Sequence, residues 1–218
     1  MNTKVRKIIG VILVLIFINI PFLFFFKEAY RISTNLITII LFNIFVCLDI
    51  VIRPISEKRD QYKFSILTLS FLLLPFIVTF PFYENKLLIS KYLATLNRKW
   101  ISYTGIGILI LGGSILIYSR IKLGKYGGPK IVIEDEHKFI SNGIYRYIRH
   151  PMYLGYLLLF FGYSLSFCSF ISTFLTLIFL FIIFKSRMDL EEKLLTSKFG
   201  EDYISYLNKT YRLIPKLY

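Results

Sequence analysis

Charge is scarce in this sequence: Asp, Glu, Lys and Arg make up 18% of its 218 residues, where an ordinary soluble domain carries about 25%. Apolar residues take the space, at 56% of the chain with a mean hydropathy of +0.62. That balance excludes a water-solvated globule and describes a chain solvated by lipid. Cysteine is nearly absent. Cys47 and Cys168 each stand alone in an apolar run, which excludes a disulfide framework and fits small buried hydrophobes. There are only two histidines, His137 and His150, with no cysteine near them, and they match no metal-ligand spacing. GxxxxGK[ST], GxGxxG, CxxC and internal repeats are all missing, so the usual phosphate and dinucleotide cradles of soluble enzymes are excluded.

What the chain does have is apolar runs of span length. A helix needs about 20 apolar residues to cross about 30 Å of hydrocarbon, so the chain holds five or six spans and no large soluble domain. Four runs come first: Ile8–Phe26, Ile32–Ile52, Phe64–Tyr83 and Ile101–Tyr118, with Pro21 and Pro75 tolerable as kinks in a packed bundle. The first follows Lys4, Arg6 and Lys7 but has no small-residue cleavage site, so it reads as a retained helix rather than a signal peptide. The formal net charge of +14 is spread between spans. Placed there it favours anionic headgroups and sets topology, and it does not read as a nucleic-acid surface.

A basic connection from Arg120 to His150 contains Gly127-Gly128-Pro129 and so cannot be one helix. After it, Met152–Phe184 is apolar except for small polar residues from Ser164 to Ser172. As one helix it would reach about 50 Å, too long for a single crossing, so the pattern predicts a tight helical hairpin with arms of about 16 residues that pack inside the bundle or continue into flanking helix. With six spans and the N-terminus inside, 21 Lys and Arg fall on the cytoplasmic side and 6 on the other, the asymmetry that the positive-inside rule expects. The predicted fold is an all-α, polytopic membrane bundle of about six helices, with a C-terminal hairpin and a cytoplasmic tail helix.

Candidate chemistry lies in the last third. Arg146, Arg149 and Lys138, with Tyr145, Tyr147 and Tyr153, read on one view as headgroup holders and an interfacial aromatic belt. On another, Pro151 opens a helix whose first amides face a ligand, with His150 and Tyr153 on one face. Arg187 and Glu191 read either as an i,i+4 pair on a solvated helix or as part of a site, where a carboxylate among cations suits a cationic or ribose-bearing ligand.

The run Ser141-Asn-Gly-Ile-Tyr-Arg-Tyr-Ile-Arg-His-Pro-Met-Tyr-Leu-Gly155, then Arg187-x-x-x-Glu191-Glu192, Phe199-Gly-Glu-Asp-Tyr203-x-x-Tyr206 and Arg212-Leu-Ile-Pro215 resembles the isoprenylcysteine carboxyl methyltransferase family. The likeness covers residues 120–218, which it marks as the methyltransferase core; residues 1–119 carry no motif and read as scaffold. The resemblance implies an integral membrane enzyme with S-adenosylmethionine as cofactor. By position, His137, Lys138, Phe139, Ile140, Tyr145, His150, Pro151, Met152, Tyr153 and Glu191 would hold the cofactor. Arg187 matches the arginine that holds the acceptor carboxylate. Where the family has a glutamine contact, seven residues before the first histidine, this chain has Lys130.

The expected acceptor is a lipidic or prenylated small molecule arriving from the bilayer, with Phe160, Phe161 and Phe167 either lining its path or packing the core. The alternatives are a phospholipid N-methyltransferase, a sterol-type reductase using NADPH, and a non-enzymatic membrane subunit. Composition suggests a bacterial inner membrane with both termini cytoplasmic. Oligomeric state is not readable.

Overall fold

The computed structural model of the chain describes residues 2–25, 32–55, 77–84, 98–128 and 139–215. These form an all-α bundle: α1 (Thr3–Phe25), α2 (Ser33–Ile52), a helical segment at 77–84, α3 (Arg98–Leu123), α4 (Pro151–Ser166), α5 (Phe170–Phe199) and α6 (Glu201–Lys209). Four helices, α1, α2, α3 and α5, are long and apolar enough to cross a membrane. Their outer faces carry exposed Ile8, Ile12, Ile40, Leu111, Phe174 and Ile182, the surface an integral membrane protein presents to lipid. The third predicted run, Phe64–Tyr83, lies outside the described residues except for its helical end.

The hairpin is asymmetric. Its first arm, α4, has 16 residues, about 24 Å of helix. The second, α5, has 30 residues, because no breaker occurs after Phe184 until Gly200, which turns the chain at φ +52. The charged tail from Lys185 therefore begins as a rigid extension of a span rather than as a separate helix. Between the arms, Ser169 and the helical segment 77–84 meet, and Glu84, 1% exposed, accepts hydrogen bonds from the Ile171 and Ser172 amides at 3.0 and 2.6 Å. A carboxylate there satisfies orphan donors at the positive end of α5.

α3 and α4 are the closest pair. In lipid, helices gain little from hydrophobic burial, so small residues that let backbones touch decide which helices pair. Gly105 and Gly112 on α3 and Gly155 and Gly162 on α4 form such a seam: a Cβ at Gly155 would sit 2.7 Å from the Leu116 amide nitrogen, and at the other three it would meet backbone of the facing helix as closely or more so. Phe42 from α2 packs beside this seam, 4.5 Å from the Tyr163 ring and 5.3 Å from Phe160. Phe167 packs against Phe22, Phe82 and Tyr163. Phe160 and Phe167 are thus core packing, the plainer of their two readings. α1 is held to α2 by reciprocal amide bonds between Asn19 and Asn43, 3.0 and 3.2 Å long.

Candidate functional site

Beyond the apolar part of α5, the face that points to α4 carries Leu180, Ile183 and Arg187, all buried, and continues one turn later to Glu191. At 1.5 Å per residue, α5 is about 45 Å long, so this charged end stands clear of about 30 Å of hydrocarbon. It meets the start of α4. Pro151 occupies the first turn as predicted, and His150, just before it, is turned toward both glutamates. Its Nε2 lies 3.0 Å from Glu192 Oε1 and its Nδ1 3.6 Å from Glu191 Oε2. The Tyr153 hydroxyl donates to Glu191 Oε1 and accepts from Arg187 Nε at 3.2 Å. His150, Tyr153, Arg187 and Glu191 therefore form one connected polar group.

Its electrostatics are strongly biased. Burial opposes protonation of His150, but hydrogen bonds and charge from Glu191 and Glu192 outweigh it and raise its pKa above the usual 6.5. Burial likewise opposes ionisation of Glu192, and is outweighed by His150, Arg212 and Arg149, which hold its carboxyl at about 2. Glu191 is also shifted down, by His150, Arg187 and Tyr153 against its own burial. The side chain of Glu191 keeps 24% of its surface exposed and that of Glu192 16%, against 5% for His150. An open groove of about 620 Å³, lined by Asp189, Glu192, Lys193, Thr196, Ser197 and Arg212, flanks the cluster.

A strap closes over the group. Residues 147–150 pair with 211–212 through Tyr211 N to Tyr147 O at 2.9 Å, Arg149 N to Tyr211 O at 2.8 Å and His150 N to Arg212 O at 3.1 Å. Arg149 Nη1 donates to the Leu207 carbonyl at 3.0 Å and to that of Thr210, while its Nε lies 3.0 Å from Glu192. Arg212 bridges Asp189 at 2.5 Å and Glu192 at 2.8 Å. Glu192 and Arg212 were given no role by the sequence reading, and Arg149 only that of a headgroup holder, although all three stand in the runs it singled out. The signal was helix phase: Glu191 falls four residues from Arg187 on the inner face, and Glu192 is turned about 100° away toward the strap.

The other predicted residues fall around this group. Phe139 packs its ring 5.2 to 5.5 Å from Phe199, Tyr203 and Tyr206, and Tyr206 donates to the Tyr145 carbonyl at 2.6 Å. The Tyr145 hydroxyl is directed away, to the Ser119 carbonyl on α3 at 3.3 Å. Met152 and Ile140 are half-buried and Pro151 is buried. His137, Lys138 and Lys130 lie outside the described residues.

Residues 100–202 match the Phospholipid methyltransferase family. The chain is 33% identical over 123 residues to a probable protein-S-isoprenylcysteine O-methyltransferase of Oryza sativa subsp. indica, covering 55% of this chain and 64% of that protein. It is 30% identical over 114 residues to the protein-S-isoprenylcysteine O-methyltransferase of Schizosaccharomyces pombe, covering 51% of this chain and 48% of that one. The chain thus spans less than two thirds of the length of these relatives. Its fold is similar to that of the solved eukaryotic intramembrane Ras methyltransferase, isoprenylcysteine carboxyl methyltransferase, with a TM-score of 0.57 at 19% identity over 85% of this chain and 66% of that one.

Proposed function

We propose that the C-terminal half of this chain belongs to the isoprenylcysteine carboxyl methyltransferase family and that the protein is an S-adenosylmethionine-dependent integral membrane methyltransferase that esterifies the carboxylate of a lipidic, isoprenylcysteine-like acceptor, a reading supported by its likeness to such enzymes. One observation carries the reading: His150, Tyr153, Arg187 and Glu191, from two helices and the loop before them, meet in a single hydrogen-bonded group. The donor set fits the cofactor, since a partly exposed carboxylate at Glu191 can oppose a sulfonium or accept from ribose hydroxyls. Phe139, Ile140, Tyr145, Pro151 and Met152, with His137 and Lys138, would complete its binding.

When bound, S-adenosylmethionine supplies a methyl group on a cationic sulfur that leaves as a neutral thioether, so transfer to a carboxylate oxygen removes no proton. The protein's share is placement and exclusion of water. Arg187 stands where the apolar part of α5 ends, the level at which a lipid carboxylate sits with its tail in hydrocarbon. Its planar guanidinium orients that carboxylate. Tyr153, bonded to both Arg187 and Glu191, ties the acceptor holder to the cofactor holder, and the strap keeps bulk water from the other side. In this reading residues 1–119 are scaffold and 120–218 the core. The bundle lies in a bacterial inner membrane with both termini cytoplasmic, supported by the 21 to 6 division of Lys and Arg.

Calorimetric titration of the detergent-purified protein with S-adenosylmethionine, and separately with NADPH, tests the reading. Binding of S-adenosylmethionine alone, lost in His150→Ala and Glu191→Ala, is expected. A folded protein that ignores it, or that prefers NADPH, contradicts the assignment. The match to phospholipid methyltransferases keeps amine methylation as the second reading. An amine acceptor gains nothing from Arg187, so Arg187→Ala should spare that activity and abolish ester formation.

A further inference from the structure

Asp49 and Arg120 are each 2% exposed and sit near the ends of two apolar helices, α2 and α3. Charges in such a place are expensive, and leucine would pack there without cost. The guanidinium uses each of its nitrogens: Nε donates to Asp49 Oδ1 at 2.7 Å, Nη2 to the Tyr156 hydroxyl at 2.9 Å and Nη1 to the Gly127 carbonyl. Asp49 Oδ2 accepts from the same tyrosine at 2.7 Å and pairs with Arg53. Two of the bonds of Arg120, those to Gly127 and Tyr156, lead toward the site. Gly127 stands just past α3, and Tyr145 is held by the carbonyl of Ser119, next to Arg120. On the other side, the Tyr156 ring lies 5.8 Å from Phe184, which lies 4.9 Å from Tyr153, whose hydroxyl receives Arg187.

We propose that Arg120, oriented by Asp49, is a positioning residue for methyl transfer, fixing the end of α3 at Gly127 and the Tyr156–Phe184–Tyr153 stack relative to one another. Neither residue belongs to the group formed by His150, Tyr153, Arg187 and Glu191, and Asp49 lies outside the family match. The inference rests on the methyltransferase reading and deepens it. A satisfied polar network fixes one arrangement of its parts, where apolar packing would tolerate several.

The test compares wild type with the double variant Asp49→Asn/Arg120→Gln, which removes both charges together, and with Tyr156→Phe, which keeps the ring and deletes the hydroxyl. Methyl transfer, melting temperature and S-adenosylmethionine affinity are measured in detergent. The double variant should melt within a few degrees of wild type yet lose about tenfold or more in kcat, with acceptor KM changed less than about twofold. Wild-type kcat in the folded double variant would overturn the proposal. If the double variant does not fold, Tyr156→Phe decides: a kcat several-fold lower at unchanged melting temperature supports positioning, and wild-type kcat contradicts it. Amide exchange at 139–147 and 150–157 needs no turnover. Faster exchange there in the folded variants supports the role even if wild type transfers no methyl, an outcome that would count against the methyltransferase reading alone; unchanged exchange rejects the role.

Discussion

Two acidic clusters lie about one helical turn apart along α4, at Tyr156 and at Tyr153, and they differ in what they leave for a ligand. Around Asp49, two guanidiniums and a phenol enclose a carboxylate that is 2% exposed. Around Glu191 the carboxylate keeps 24% of its surface, and its partners are a histidine and a tyrosine hydroxyl already shared with Arg187. The same chemistry, a carboxylate among cations, is closed in one place and open in the other. Closed, it joins helices; open, it leaves the carboxylate surface on which the proposed cofactor site rests. The contrast recurs within a single pair of residues, since Glu191 faces inward with exposed surface while Glu192 is taken up by Arg149, His150 and Arg212.

Neutralising the two glutamates separately should break that contrast most sharply. Glu191→Gln loses a charge-assisted contact to ligand, so S-adenosylmethionine affinity should fall by about tenfold to a hundredfold with the melting temperature almost unmoved. Calorimetry beside a thermal melt checks this, and full affinity in the variant would remove Glu191 from the site. Glu192→Gln should do the opposite. Stranding Arg149 and Arg212 should loosen the strap by about 1–3 kcal/mol, seen as faster proteolysis and amide exchange at 206–213, with a smaller effect on binding.

The smallest expected effect is on pH dependence. His150, its pKa raised by the glutamates, supports the strap fully below its ordinary 6.5 and loses that support as pH rises through its elevated value. Glu192, lowered to about 2, supports it fully above its ordinary 4.5 and loses that as pH falls toward 2. Strap protection should therefore be greatest between about pH 4.5 and 6.5 and decline above. Protection at 206–213, corrected for intrinsic exchange, that stays flat from pH 5 to 9 would contradict a titrating role for His150 in the strap.

The sequence made the helical membrane class legible because apolar runs of span length admit few other solutions. It also offered, beside a headgroup-and-belt view, a reading in which Pro151 opens a helix with His150 and Tyr153 on one face, and the helix does begin at Pro151. The long second arm was less visible, since Phe184 ended the apolar pattern while the helix ran on to Gly200. Which glutamate looks inward depends on helix phase relative to Arg187, and the strap depends on residues 61 apart finding each other, as Arg149 does with Thr210. Asp49 did leave a trace: a single acidic residue within an apolar span is reason enough to look for its partner. Arg53, four residues on, is a partner that helix spacing offers, but Arg120 and Tyr156 lie 71 and 107 residues away, a pairing that no local pattern encodes.

The central claim, that this site forms an ester on a lipid carboxylate, is tested most directly by the bond it makes. Wild type and Arg187→Ala, reconstituted in proteoliposomes, would be given S-adenosylmethionine labelled in the methyl group, a prenylated cysteine and, in parallel, phosphatidylethanolamine. Lipid-borne label that base releases as methanol, formed only with the carboxylate acceptor and reduced about a hundredfold or more in Arg187→Ala, is the predicted result. Base-stable label on the amine lipid, undiminished in Arg187→Ala, would contradict it.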